Sequence, residues 1–116
     1  VGVWEIKKGN RKMKQIINGK VYNTDTATLI CEAGSRTHSR SDFAYEDSSL
    51  YVTKKGAYFI AGEGGPMSRF AYDTGNGTTG GSGIVTVSRE EALSLAERHG
   101  DNDIIEEHFA DMIEEA

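Results

Sequence analysis

Leu50-Tyr-Val-Thr-Lys-Lys-Gly-Ala-Tyr-Phe-Ile-Ala-Gly62 places two β-favouring runs on either side of Lys54-Lys55-Gly56. Val, Ile, Tyr, Phe and Thr fit a pleated, half-buried surface, and Gly56 tolerates the positive φ that a tight turn demands, so the stretch predicts a β-hairpin. Counting by twos, Tyr51 and Thr53 share one face and Leu50 and Val52 the other; the return run divides into Tyr58/Ile60 and Ala57/Phe59/Ala61. Neither run has a purely polar face, so both sides of the hairpin should be covered. A two-stranded ribbon is marginal alone, and other parts of the chain must supply the cover.

Working outward, Gln15-Ile16-Ile17-Asn18-Gly19-Lys20-Val21-Tyr22 predicts a second hairpin, because Asn-Gly is the preferred pair where both central residues take positive φ. Between the hairpins, residues 23–32 read as a short helix: Asn23 or Thr24 can cap it, Ala27, Ile30 and Cys31 fall on one face, and Gly34 can stop it. Residues 35–42 are polar and read as a loop, with Phe43 to Tyr45 and a turn at Glu46-Asp47-Ser48-Ser49 leading into the central hairpin. Gly62 to Pro66 ends that hairpin, Pro66 opens a second short helix over Met67 to Tyr72, and residues 75–83 read as a glycine-rich loop without an element. Ile84 to Val87 is a further strand. Ser88-Arg-Glu-Glu91 is a capping box for a helix with Ala92, Leu93 and Ala96 on its apolar face, and Asp101-Asn-Asp103 caps a last helix carrying Ile105, Phe109, Met112 and Ile113. The expectation is an α+β fold, an antiparallel sheet built from hairpins and covered by short helices and two C-terminal amphipathic helices.

With 116 residues, 37% of them apolar, the chain suits one hydrophobic core, and residues 13–116 read as one domain. Met13-Lys-Gln-Ile-Ile-Asn-Gly-Lys20 resembles a natural protein start, which makes residues 1–12 an N-terminal extension. Cys31 is the single cysteine, so no intrachain disulfide can form and a reducing compartment is expected. No apolar run approaches the roughly 20 residues of a membrane span and no signal-peptide block is evident, which predicts a soluble, intracellular protein without a membrane partner.

The formal charge of −5 is distributed unevenly. Residues 1–20 are basic, with Lys7, Lys8, Arg11, Lys12, Lys14 and Lys20 against Glu5; residues 89–116 carry ten carboxylates against Arg89 and Arg98. Glu106, Glu107, Asp111, Glu114 and Glu115 lie off the apolar stripe of the last helix and form a solvated face, or, in the sharper reading, imitate a phosphate backbone for a basic partner. Asp42, Tyr45, Arg69 and Tyr72 are polar and aromatic residues in or beside loops, of the types that anchor interfaces, and complete the candidate partner-binding set. The acidic balance opposes direct nucleic-acid binding, although Lys7 to Lys20 with Arg36, Arg40 and Arg69 keep open a small nucleic-acid-binding accessory or regulatory protein. An exposed hairpin edge leaves a homodimer open.

Catalytic signals are weak. Gly62-x-Gly64-Gly65 lacks the Gly-Lys-Ser/Thr of a P-loop and the spacing of a dinucleotide fingerprint, and is read as a tight backbone turn. His38, His99 and His108 are far apart with one thiol between them, so neither a metal nor another cofactor is expected. Cys31 reads as a small buried hydrophobe. No nucleophile, base and oxyanion set can be assembled, and the chain is read as a non-enzyme.

Ile17-Asn-Gly-Lys-Val-Tyr-Asn-Thr-Asp-Thr-Ala27, Ser41-Asp-Phe43, Leu50 to Phe59, Gly62-Glu-Gly-Gly65 and Ser88-Arg-Glu-Glu-Ala92 together resemble a family of small proteins carried on bacterial phages and mobile elements. The resemblance covers the chain from Met13 onward; its motifs belong to the scaffold and carry no catalysis. Most members of that family have no known function; the resemblance implies anti-CRISPR or other anti-defence activity, in the bacterial cytoplasm. Such a protein would bind a CRISPR-Cas effector without turnover, by steric block or by nucleic-acid mimicry through the acidic helices.

Overall fold

The computed structural model describes residues 12–34, 46–65, 68–73, 75 and 77–116. Its frame is a four-stranded antiparallel sheet in the order β3–β4–β5–β8, with β3 Thr28–Glu32, β4 Glu46–Val52, β5 Tyr58–Gly64 and β8 Gly81–Val87. The central pair β4–β5 is the expected hairpin, in register Leu50↔Ile60, Tyr51↔Phe59 and Val52↔Tyr58. Gly56 takes φ 92°, and the Thr53 hydroxyl accepts the Ala57 amide at 3.0 Å, so the turn closes on its own side chains.

Alternation along these strands feeds two separate apolar layers. Leu50, Tyr58 and Ile60 join Ile30, Cys31, Ala33, Phe70, Ala92, Leu95, Ala96 and Phe109 on one face. Tyr51, Phe59 and Ala61 join Tyr22 and Ile84 on the other, where Phe59 stacks on Tyr51 at 5.2 Å and meets Tyr22 edge-on at 5.5 Å. The covering element on this second face is the hairpin β1 (Lys14–Ile17) with β2 (Lys20–Asn23), whose Asn18 and Gly19 adopt φ 52° and 78° as the Asn-Gly motif requires. Gln15 Oε1 accepts the Ile84 amide at 3.2 Å and ties the hairpin to edge strand β8.

The first face is covered by α1 (Arg89–His99) and α2 (Asn102–His108). Ser88 and Glu91 form the capping box, with the Glu91 amide donating to Ser88 Oγ at 3.1 Å and the Ser88 amide to Glu91 Oε1 at 3.3 Å. Ala92, Leu95 and Ala96 are the buried residues of α1, with Leu93 only partly buried. Asp101 caps α2 through the Ile104 amide at 3.0 Å. The helix ends at His108, and a 3₁₀ turn over Ala110–Met112 follows; Phe109 between them is fully buried and stacks on Tyr58 at 5.5 Å. Ile113, expected on the apolar stripe, is 39% exposed because the helix has already stopped.

The α+β class therefore holds, but both predicted short helices are replaced by other structure. Residues 23–27 form a turn in which Asn23 Oδ1 accepts the Asp25 amide at 2.8 Å, and Thr28–Glu32 is strand β3. A register shift between Leu29 and Cys31 sends the neighbours Ile30 and Cys31 into one core, which is why this strand imitates helical spacing. Gly34 is no helix stop: a Cβ there would lie 2.7 Å from the Glu46 carbonyl oxygen, so it permits close approach to β4. At the second predicted helix, Ser68 to Phe70 form a turn, with Ser68 Oγ donating to the Gly65 carbonyl at 2.7 Å and accepting the Phe70 amide at 3.2 Å, and Tyr72–Asp73 continue as strand β6. The remainder of that prediction, Pro66 and Met67, lies outside the described residues.

The glycine-rich segment is also not a loop. Thr78–Thr79 form β7, which pairs with β6, and β8 begins at Gly81. Gly64, read as part of a turn, lies in β5, where Gly62 faces Gly83 and Gly64 faces Gly81 across the ladder. Likewise Glu46 to Ser49 are not a turn but the start of β4.

Candidate partner-binding surface

Every one of the ten carboxylates in residues 89–116 is on an exposed residue. α1 and α2 turn their apolar residues toward the sheet, and the carboxylates follow the opposite side of the same layer. Glu106 and Glu107 lie on α2; Glu114 and Glu115 lie beyond the 3₁₀ turn in chain without a regular element, not on a helix as expected. None of these four has an ion pair with a described residue. Asp111 differs, because its carboxylate takes both terminal nitrogens of Arg89. That contact holds the Asp111 carboxyl below the usual carboxylate range, and Asp111, with the Tyr58 hydroxyl second, holds the Arg89 guanidinium above its ordinary value. Asp111 is thus paired with Arg89 at the start of α1, in a contact open to solvent.

Arg69 occupies a different site. Its Nε lies 2.9 Å from Glu46 Oε2 and 3.1 Å from Oε1, with the Arg69 side chain 33% exposed and Glu46 only 9%. Ser48 Oγ donates to the same carboxylate at 2.5 Å. Burying that carboxylate is costly unless it is paired and hydrogen-bonded, and both conditions are met here, so the pair fixes the 68–70 turn against β4. Ser68, Val85, Thr86 and Val87, with Glu91, Ser94, Leu95 and Arg98 of α1, complete an open cleft of about 440 Å³ beside it. His99 is lowered from its ordinary pKa by burial first, then by Arg98 and Arg69, so it favours the neutral form.

Tyr72 lies in β6, opposite Thr79. Asp42 and Tyr45, together with Arg36, His38, Arg40 and residues 1–11, lie outside the described residues. The structure thus sets the carboxylates of α1 and α2 on the outer side of the helical layer and Arg69 in a cleft that α1 borders through Glu91 and Arg98. Sequence reading missed Glu46, whose polar neighbours disguised a buried strand residue.

Cys31 is buried in β3, and burial first, with Glu32 second, pushes its thiol up to about 11, the behaviour of a core residue rather than a nucleophile. Among the described residues no group of three or more His, Cys, Asp and Glu side chains is arranged to hold a metal ion. No described helix is long and apolar enough to cross a membrane. Comparison with protein-family models, with curated proteins and with solved structures finds no match.

Proposed function

We propose that this chain is a non-catalytic inhibitor of the anti-CRISPR kind, which lays the acidic side of α1, α2 and the chain end on a basic, nucleic-acid-binding surface of a bacterial CRISPR-Cas effector. The observation that carries the reading is the exposure of all ten carboxylates over residues 89–116, on a layer whose apolar side is already spent on the sheet. Charges presented in this way cost little to bring to a cationic groove, and complementary fields raise the rate of encounter. The choice of effector, and with it the bacterial cytoplasm as the site of action, rests on the resemblance carried by the scaffold motifs from Ile17 to Ala92.

Binding to purified, nucleic-acid-free effector tests the proposal. Reversal of Glu106, Glu107, Glu114 and Glu115 to lysine should weaken capture at least tenfold, and raising the salt concentration should weaken the wild-type complex. Capture that is indifferent to both changes would sink the acidic contact. Failure to bind any effector, with binding to free DNA or RNA instead, would replace the proposal with the nucleic-acid accessory role.

A further inference from the structure

On the sheet face opposite the helices, the turns of the two hairpins lie side by side and enclose a cleft of about 520 Å³. Its lining includes Lys20, Lys54 and Lys55, the hydroxyl residues Thr26 and Thr53, and no carboxylate. Asp25, next to Thr26 in the chain, is not part of it. Lys20 is rooted on the Asn18-Gly19 turn and Lys54 and Lys55 on the Thr53–Ala57 turn, both closed by their own backbone geometry. Packing of Tyr22 on Phe59 at 5.5 Å fixes the first hairpin against the second. None of the three lysines has an ion pair with a described residue.

The cleft thus gathers three ammonium groups on two fixed turns, with no carboxylate in its lining, in a chain whose net charge is −5. The buried residues beneath the helices and those beneath the first hairpin form separate clusters, so the acidic helices and these lysines lie on different faces of the sheet. We infer that this cleft is a phosphoryl-anion site, taking two adjacent phosphate groups on Lys20, Lys54 and Lys55, with the Thr53 hydroxyl, which accepts the Ala57 amide and keeps its own proton, as a further donor. Ammonium groups on flexible stems act as point charges and suit phosphates whose spacing varies, as in a pyrophosphate or in a nucleic-acid strand. The inference is independent of the effector reading, since it concerns the opposite face and is tested on the isolated protein.

Fluorescence anisotropy with a labelled ten-nucleotide oligothymidylate, together with titration of inorganic pyrophosphate by calorimetry, provides the test. Lys54→Gln/Lys55→Gln should weaken the bound probe at least tenfold, while Lys12→Gln/Lys14→Gln, the same charge change outside the cleft, should alter it less than threefold. With two phosphates neutralised on a single strand, affinity for the oligonucleotide should fall about sevenfold between 50 and 200 mM salt. Pyrophosphate binding alone identifies a small phosphorylated ligand; oligonucleotide binding displaced by pyrophosphate identifies a strand. Equal weakening by the two lysine pairs, or no binding of either probe by the wild type, overturns the inference.

Discussion

Replacing Phe109 by alanine should detach α2 and the 3₁₀ turn after it from the sheet, while α1 keeps its own buried Ala92, Leu95 and Ala96. α2 and the 3₁₀ turn after it contain no buried residue of their own, whereas Phe109 between them is fully buried and stacked on Tyr58. An aromatic side chain of this kind removes roughly 150–250 Å² from water, which at about 25 cal/mol/Å² sets an upper bound of about 4–6 kcal/mol. Alanine keeps part of that area and the unfolded chain is partly collapsed, so the loss should come near 4 kcal/mol, within the roughly 3–5 kcal/mol range of Phe→Ala changes in cores. Phe109→Leu retains most of the packing and should cost about 1–2 kcal/mol. Urea denaturation gives the global loss, and amide hydrogen exchange shows where it falls: protection over Asn102–His108 should vanish while β4 and β5 keep theirs. An alanine variant within about 1 kcal/mol of wild type that keeps its α2 protection would refute the idea that Phe109 holds this segment.

Gly62→Ala should destabilise the sheet by roughly 1–3 kcal/mol in denaturant melts, since a Cβ there would sit 2.3 Å from the Asp47 carbonyl oxygen and β4 and β5 would have to part; an unchanged midpoint would contradict the close approach. Arg69→Ala strands the buried Glu46 carboxylate, and after allowance for the partial exposure of Arg69 the loss should be roughly 1–3 kcal/mol; adding Glu46→Gln should return part of it, as read from a double-mutant cycle. Cys31 sets an alkaline limit. Its folded thiol stands at about 11 against an ordinary 9.0, so its contribution is complete below pH 9 and is lost as pH rises toward 11. The difference in stability between wild type and Cys31→Ala should therefore shift by roughly 1–3 kcal/mol across that window, and a difference independent of pH would contradict the burial argument.

The elements that were legible in the sequence are those whose chemistry is local. Asn18-Gly19 states its own turn, Ser88 and Glu91 satisfy each other's helix end, and the period-two division of residues 57–61 assigns each side chain to the correct core. What misled was structure supplied from a distance. The irregularity at Leu29/Cys31 gives a strand two consecutive buried residues, and only the pairing with β4 reveals it. Gly81 and Gly83 have no strand propensity and are held in β8 by the opposing backbone of β5. The acidic segment was visible as charge, but the capture of Asp111 by Arg89, 22 residues earlier, depends on how α1 and the chain end fold back. The lysines of the second cleft come from turns far apart in sequence, so no linear motif announces them.

Tyr58 and Phe59 are chain neighbours, yet one supports the helices through Phe109 and the other supports the first hairpin through Tyr22. The middle of the protein is therefore a partition with independent tenants. A change beneath one side has no shared side-chain neighbours with the other, so the two exteriors can be altered, or can drift apart over generations, while the wall between them stays the same.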